Sequence, residues 1–96
     1  MENIIAPYLE MEGVAAAALV STDGLLVASA GGTALGLEAL AAYSASIMSS
    51  AKGLSEELET EPPRSLALDF PGRTLTLALL NDELLLMLVG KPTRSG

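Results

Sequence analysis

The chain has 96 residues, half of them apolar, with mean hydropathy +0.46 and a formal net charge of −7; that is too apolar for a disordered segment and enough chain for one domain. The acidic balance, with Lys52, Arg64, Arg73, Lys91 and Arg94 scattered, argues against nucleic acid, and Tyr8, Tyr43 and Phe70 are too few for a base-stacking platform. No apolar run reaches the ~18 residues of a membrane helix, no basic leader opens the chain and there is no cysteine, so the reading is a cytoplasmic domain with no membrane insertion and no disulfide.

Ile4, Ile5, Tyr8 and Leu9 sit at helical spacing behind Asn3, a candidate N-cap, and Pro7 keeps this first helix short. Gly13 ends it, and Val14 to Ser21 reads as a strand. Thr22-Asp23-Gly24 is a hairpin turn, expected as type I′ with positive φ at Asp23 and Gly24, and Leu25 to Ala30 returns as the second strand. A long helix follows from about Leu35 to Leu58, with Leu37, Leu40, Ser44, Ile47, Met48, Ala51, Leu54 and Leu58 on its inward stripe. Pro62-Pro63 stops it.

The last third is a meander. Ser65 to Phe70 turns at Pro71-Gly72 into Arg73 to Leu80, which turns at Asn81-Asp82 into Leu84 to Val89. If both turns hold two residues, Leu68, Leu75 and Leu88 align, as do Leu66, Leu77 and Leu86, on the face under the long helix. The other face then carries Ser65, Ala67, Asp69, Thr74, Thr76 and Ala78, and ends on Leu85, Met87 and Val89. Strands apolar on both faces belong in the middle of a sheet, which gives the order 2-1-5-4-3, with the direction of the 1–5 pair left open. The fold class is α/β in the α+β sense. A mostly antiparallel five-stranded sheet carries one long helix on one face and the short N-terminal helix on the other, with no C-terminal helix. Residues 1–90 form the domain and 91–96 a polar tail.

Several motifs have simple readings. Gly31-Gly32-Thr33-Ala34-Leu35-Gly36 sits where phosphates are often cradled, but it matches neither dinucleotide nor P-loop spacing and reads as a strand-to-helix connection. Asp23 serves turn geometry and Asp82 and Glu83 solvate another turn. Without histidine or cysteine, the helix serines lack a base, so no catalytic residue, metal ligand or cofactor is expected. Glu56, Glu57, Glu59 and Glu61 crowd the helix C-terminus against its dipole, as a solvated end or as an acidic patch that steers a basic partner.

Two features point to self-association. The strand Ser65–Phe70 falls at a sheet edge, with Ser65, Ala67 and Asp69 on an interior that has no Pro, Lys or bulge signal to protect it. The outer face of the long helix clusters Ala39, Ala42, Ala45, Ser46, Ser49 and Gly53, with Glu38, Lys52 and Glu56 among them, smaller and poorer in charge than a solvent-facing helix usually is, as a helix packed across a two-fold would be. A second partner face is expected at Leu85, Met87 and Val89, thinly covered by the short helix.

The run from Gly13-Val14 through Ser21-Thr22-Asp23-Gly24-Leu25-Leu26-Val27-Ala28, with the long helix and the meander ending at Gly90, resembles the Roadblock family, named for a dynein light chain. The resemblance implies a homodimer joined at the third strands, with the long helices antiparallel across the two-fold. It implies a Ras-like small GTPase as partner, as for bacterial members that regulate gliding-motility GTPases, or else an adaptor role within a larger assembly. Family members usually carry a further helix after the last strand, where this chain has Lys91 to Gly96. The expected function is therefore a non-enzymatic, homodimeric binding module that regulates or scaffolds a small GTPase.

Overall fold

A computed structural model describes residues 2–93. Helix α1 (Glu2–Ile5) runs into a 3-10 turn (Ala6–Glu10) that admits Pro7 in its first positions. Strands β1 (Val14–Ser21) and β2 (Leu26–Gly31) precede the long helix α2 (Leu37–Glu57). Strands β3 (Ser65–Phe70), β4 (Arg73–Leu79) and β5 (Leu84–Gly90) complete the chain's regular structure among the described residues. The sheet order is β2-β1-β5-β4-β3, as expected from which strands are apolar on both faces, and every pair is antiparallel, β1–β5 included.

The β3–β4 register follows the two-residue turn at Pro71-Gly72, with Leu68 opposite Leu75 and Leu66 opposite Leu77. The β4–β5 register does not follow a two-residue turn. Leu77 faces Met87 and Leu75 faces Val89, one residue away from the expected pairing. The cause is Asn81, whose Oδ1 accepts the N–H groups of Glu83 (2.7 Å) and Leu84 (2.9 Å). This holds Asn81-Asp82-Glu83 as a three-residue loop closed by Leu80 N–H to Leu84 O at 2.9 Å. A one-residue slip moves every side chain to the other face. Leu85, Met87 and Val89 are therefore not an outer partner face: they are buried under α2 with Ala16, Ala18, Val20 and Leu77. Leu86 and Leu88 face out instead, against Ile5, Tyr8, Ala17 and Leu19.

The β1–β2 turn also differs from the type I′ expectation. Among the described residues the only non-glycine with positive φ is Glu59, so Asp23 stays in ordinary backbone space and Gly24 alone turns left-handed, at φ 95°. Gly24 N–H reaches Ser21 O (2.9 Å) and Ser21 N–H reaches Leu25 O (2.8 Å), the pattern of a three-residue loop with glycine last. The Ser21 hydroxyl accepts the Leu25 N–H at 3.0 Å and makes that longer loop self-capping.

Helix α2 lies on the sheet through small residues. Leu37, Ala41, Ser44, Ala45, Met48 and Ser55 are its buried positions, and the Ser44 hydroxyl meets the Met87 sulfur at 3.3 Å. Ala45 is thus inward, not on the outer face. Leu54 and Leu58, expected inward, are exposed. The helix ends in a left-handed cap at Glu59 (φ 56°), with Thr60 N–H on Ser55 O at 3.0 Å. Glycine suits that position and removes a carboxylate from a dipole that opposes it. Glu59→Gly should stabilise the fold by about 1 kcal/mol, visible as a higher thermal midpoint at equal protomer concentration.

Candidate functional site

The edge strand β3 is open, and its unpaired groups can be located. Leu79 N–H donates to Arg64 O at 2.8 Å, so those two residues form a hydrogen-bonded pair. Such pairs alternate along an antiparallel ladder. Leu66, Leu68 and Phe70 then bond to β4, whereas Ser65, Ala67 and Asp69 turn their N–H and C=O groups toward the free edge. All three are exposed, and the register along β3 is unbroken. An edge of this kind pairs readily with another strand.

Beside this edge the sheet is only partly roofed. Helix α2 packs on β1, β2 and β5. A groove of about 470 Å³ remains between the helix flank of Leu40, Tyr43 and Ile47 and the sheet residues Leu68, Phe70 and Leu75. Leu54 and Leu58 extend the same flank at helical spacing. Tyr43, Leu54, Leu58 and Phe70 are 70%, 61%, 66% and 55% exposed, a concentration of large apolar side chains that water does not favour. Arg73 reaches the groove from the start of β4, and its Nε is buried with no hydrogen-bond partner among the described residues.

The structure places the expected helix stripe elsewhere. Ala39, Ala42, Ser46, Ser49 and Gly53 are all exposed, and none of them lines the groove beside β3. Gly24, at the β1–β2 tip, lies against Ala42, with an added Cβ 3.4 Å from the Ala42 Cα. Ala39 lies by the β2–α2 connection, and Ser49 by Thr22 and Asp82 at the hairpin tips. Ser46 and Gly53 point outward between these positions on the helical wheel. So the β3 edge shares a side of the molecule with Leu40, Tyr43 and Ile47, and of the small-residue stripe Ser49 alone lines a pocket with the residues that lead into β3, Pro62 and Pro63. Sequence reasoning missed that flank because its leucines and isoleucine have the period of a core stripe.

The glycine-rich connection is a packing feature. A Cβ on Gly31 (φ 74°) would lie 2.5 Å from Ala15 O, and one on Gly32 (φ 63°) would lie 2.6 Å from the Ala16 Cβ. Both positions need glycine for backbone direction and closeness to β1. Leu35 N–H bonds Gly32 O at 2.9 Å inside the same turn. No helix of the described residues is long and apolar enough to cross a membrane.

Comparison with known proteins agrees with this architecture. The Roadblock/LC7 domain family model matches residues 1–90. Among solved structures, a Roadblock/LC7 domain from Streptomyces avermitilis superposes with TM-score 0.86 at 14% identity, over 95% of this chain and 78% of that one. The gliding protein MglB of Thermus thermophilus gives TM-score 0.83 at 18% identity, over 93% of this chain and 69% of that one. MglB of Myxococcus xanthus gives 0.76 at 18% identity, over 86% and 68%. Among curated proteins none matches the sequence. At these identities the likeness is one of fold.

Proposed function

Since this chain belongs to the Roadblock/LC7 domain family, we propose that it is a cytoplasmic, non-catalytic, homodimeric module that regulates or scaffolds a Ras-like small GTPase. The observation that carries the dimer is the open β3 edge beside an unfilled apolar groove. Two copies related by a two-fold through Ala67 would pair Ser65 with the partner's Asp69 and satisfy all three residues of free backbone. The GTPase partner is supported by family membership and by the fold shared with MglB gliding proteins. An adaptor that works through Leu85, Met87 and Val89 is set aside, because those side chains are the core.

Ala67→Pro separates dimer from fold. Its N–H faces away from β4, so the protomer's own ladder is untouched. Across the two-fold each copy loses a donor, two hydrogen bonds in all, so dimer affinity should fall by about ten- to a hundredfold. Light scattering across a dilution series reads this directly, and a monomeric unmutated protein at micromolar concentration refutes the dimer. Pull-down with Ras-like GTPases loaded with GDP or a GTP analogue should enrich one nucleotide state; no enrichment in either removes the partner.

A further inference from the structure

We propose that the groove under Tyr43 is closed by a second copy's helix-to-strand connection, with the partner's Leu58 filling it and the partner's Glu61 pairing with Arg73. This rests on the β3-to-β3 dimer above and specifies what each subunit inserts into the other. Helix α2 runs antiparallel to β3: Leu40, Tyr43 and Ile47 lie beside Leu68 and Phe70, whereas Met48, Ser49 and Lys52 lie beside Pro62 and Pro63. A two-fold through Ala67 reverses both elements. It sets the partner's Arg64 opposite Phe70, and Phe70 is itself paired with Arg73. The partner's residues immediately before Arg64 then descend past Phe70 and Arg73.

Those residues suit the groove in shape and charge. Leu58 is two-thirds exposed on its own subunit. The connection is stiff, set by the left-handed Glu59 and by Pro62-Pro63. It is acidic, with Glu59 and Glu61 and no basic residue in the last helical turn. Among the described residues the groove offers apolar walls and a single cation, Arg73, whose Nε lacks a partner. Buried guanidinium groups are satisfied by carboxylates.

The test uses the absence of native cysteine. Leu58→Cys and Phe70→Cys variants, mixed and oxidised, should give a disulfide-linked heterodimer on a non-reducing gel. Arg73→Glu should weaken the dimer about tenfold or more, and Arg73→Glu with Glu61→Arg should recover most of that loss. Cross-linking together with recovery supports the assignment. An unmutated protein that is dimeric by light scattering, with neither the 58–70 cross-link nor recovery by the charge swap, overturns this inference and leaves the β3 dimer standing. An unmutated protein that is monomeric overturns both.

Discussion

Met87→Ala is expected to lower the free energy of unfolding by about 2–5 kcal/mol, a large share of the roughly 5–15 kcal/mol that holds a domain of this size together. Met87 is fully buried between Leu77 on the neighbouring strand and Ser44 on α2. Its removal would leave a void that Ser44, Ala41 and Ala45 are too small to fill. The Ser44 hydroxyl would also lose its sulfur contact. Under the pairing set by a two-residue Asn81-Asp82 turn, Met87 would lie on the outer face, where truncation is cheap, and Leu88 would carry the cost. The experiment is denaturant unfolding of Met87→Ala and Leu88→Ala at one protomer concentration, because dimerisation adds to apparent stability. Met87→Ala should show the larger drop in midpoint. Equal drops, or a larger one for Leu88→Ala, would restore the other register.

That register shows where sequence is legible and where it stops. The sheet order could be read because it depends on composition: β1 and β5 are apolar on both faces, and a strand of that kind is stable only between neighbours. The β3–β4 pairing could be read because Pro71-Gly72 leaves little choice of turn, and Gly72 takes φ 81° as such a turn requires. The β4–β5 pairing could not, because it is decided by one side chain. Asn81 offers its carbonyl oxygen to two backbone donors, and that choice adds a residue to the loop. Asp23 poses the same difficulty in reverse. Asp-Gly favours a two-residue turn, but Ser21 caps a three-residue one, and a bulge between Leu19 and Val20 absorbs the extra residue.

The candidate site was half legible. The exposed β3 edge follows from strand order, so Ser65, Ala67 and Asp69 could be found without coordinates. The rotation of α2 about its own axis could not. Leu40, Ile47, Leu54 and Leu58 share a stripe with Leu37 and Met48 closely enough that either set could face the sheet. The structure resolves this through size. Ala41, Ser44 and Ala45 let the helix approach Ala16, Ala18 and Met87, and a helix that close has no room for a leucine row beneath it. Leu40 and Ile47 therefore turn toward the β3 side, where they line the groove with Leu68 and Phe70. The small outer stripe is what remains, exposed on the opposite flank, with Ala42 against the hairpin tip at Gly24.

This geometry yields opposite results for two charge insertions on one helix. Tyr43→Glu should abolish the dimer at micromolar concentration, whereas Ser49→Glu should leave it intact. Tyr43 rims the groove beside Phe70 on the β3 side, so in a two-fold assembly its side chain is enclosed and an added carboxylate would be buried among Leu40, Ile47 and Leu68. Among the described residues the only cation lining that groove is Arg73; any carboxylate not held by it is an unpaired buried charge, which costs several kcal/mol and outweighs what an interface of ordinary size can spare. Ser49 is exposed about 120° around the helix from Tyr43, in an open pocket with Lys52, Thr22 and Asp82 and with Pro62 and Pro63 of its own subunit, away from the groove beside Phe70. A glutamate there stays hydrated and sits three residues before Lys52, a mildly favourable spacing. Both sites are exposed in the protomer, so circular dichroism should show both variants folded, and light scattering should distinguish them. A dimer that survives Tyr43→Glu and fails with Ser49→Glu would move the two-fold to the Ala42–Ser46 face of α2 and away from the β3 groove.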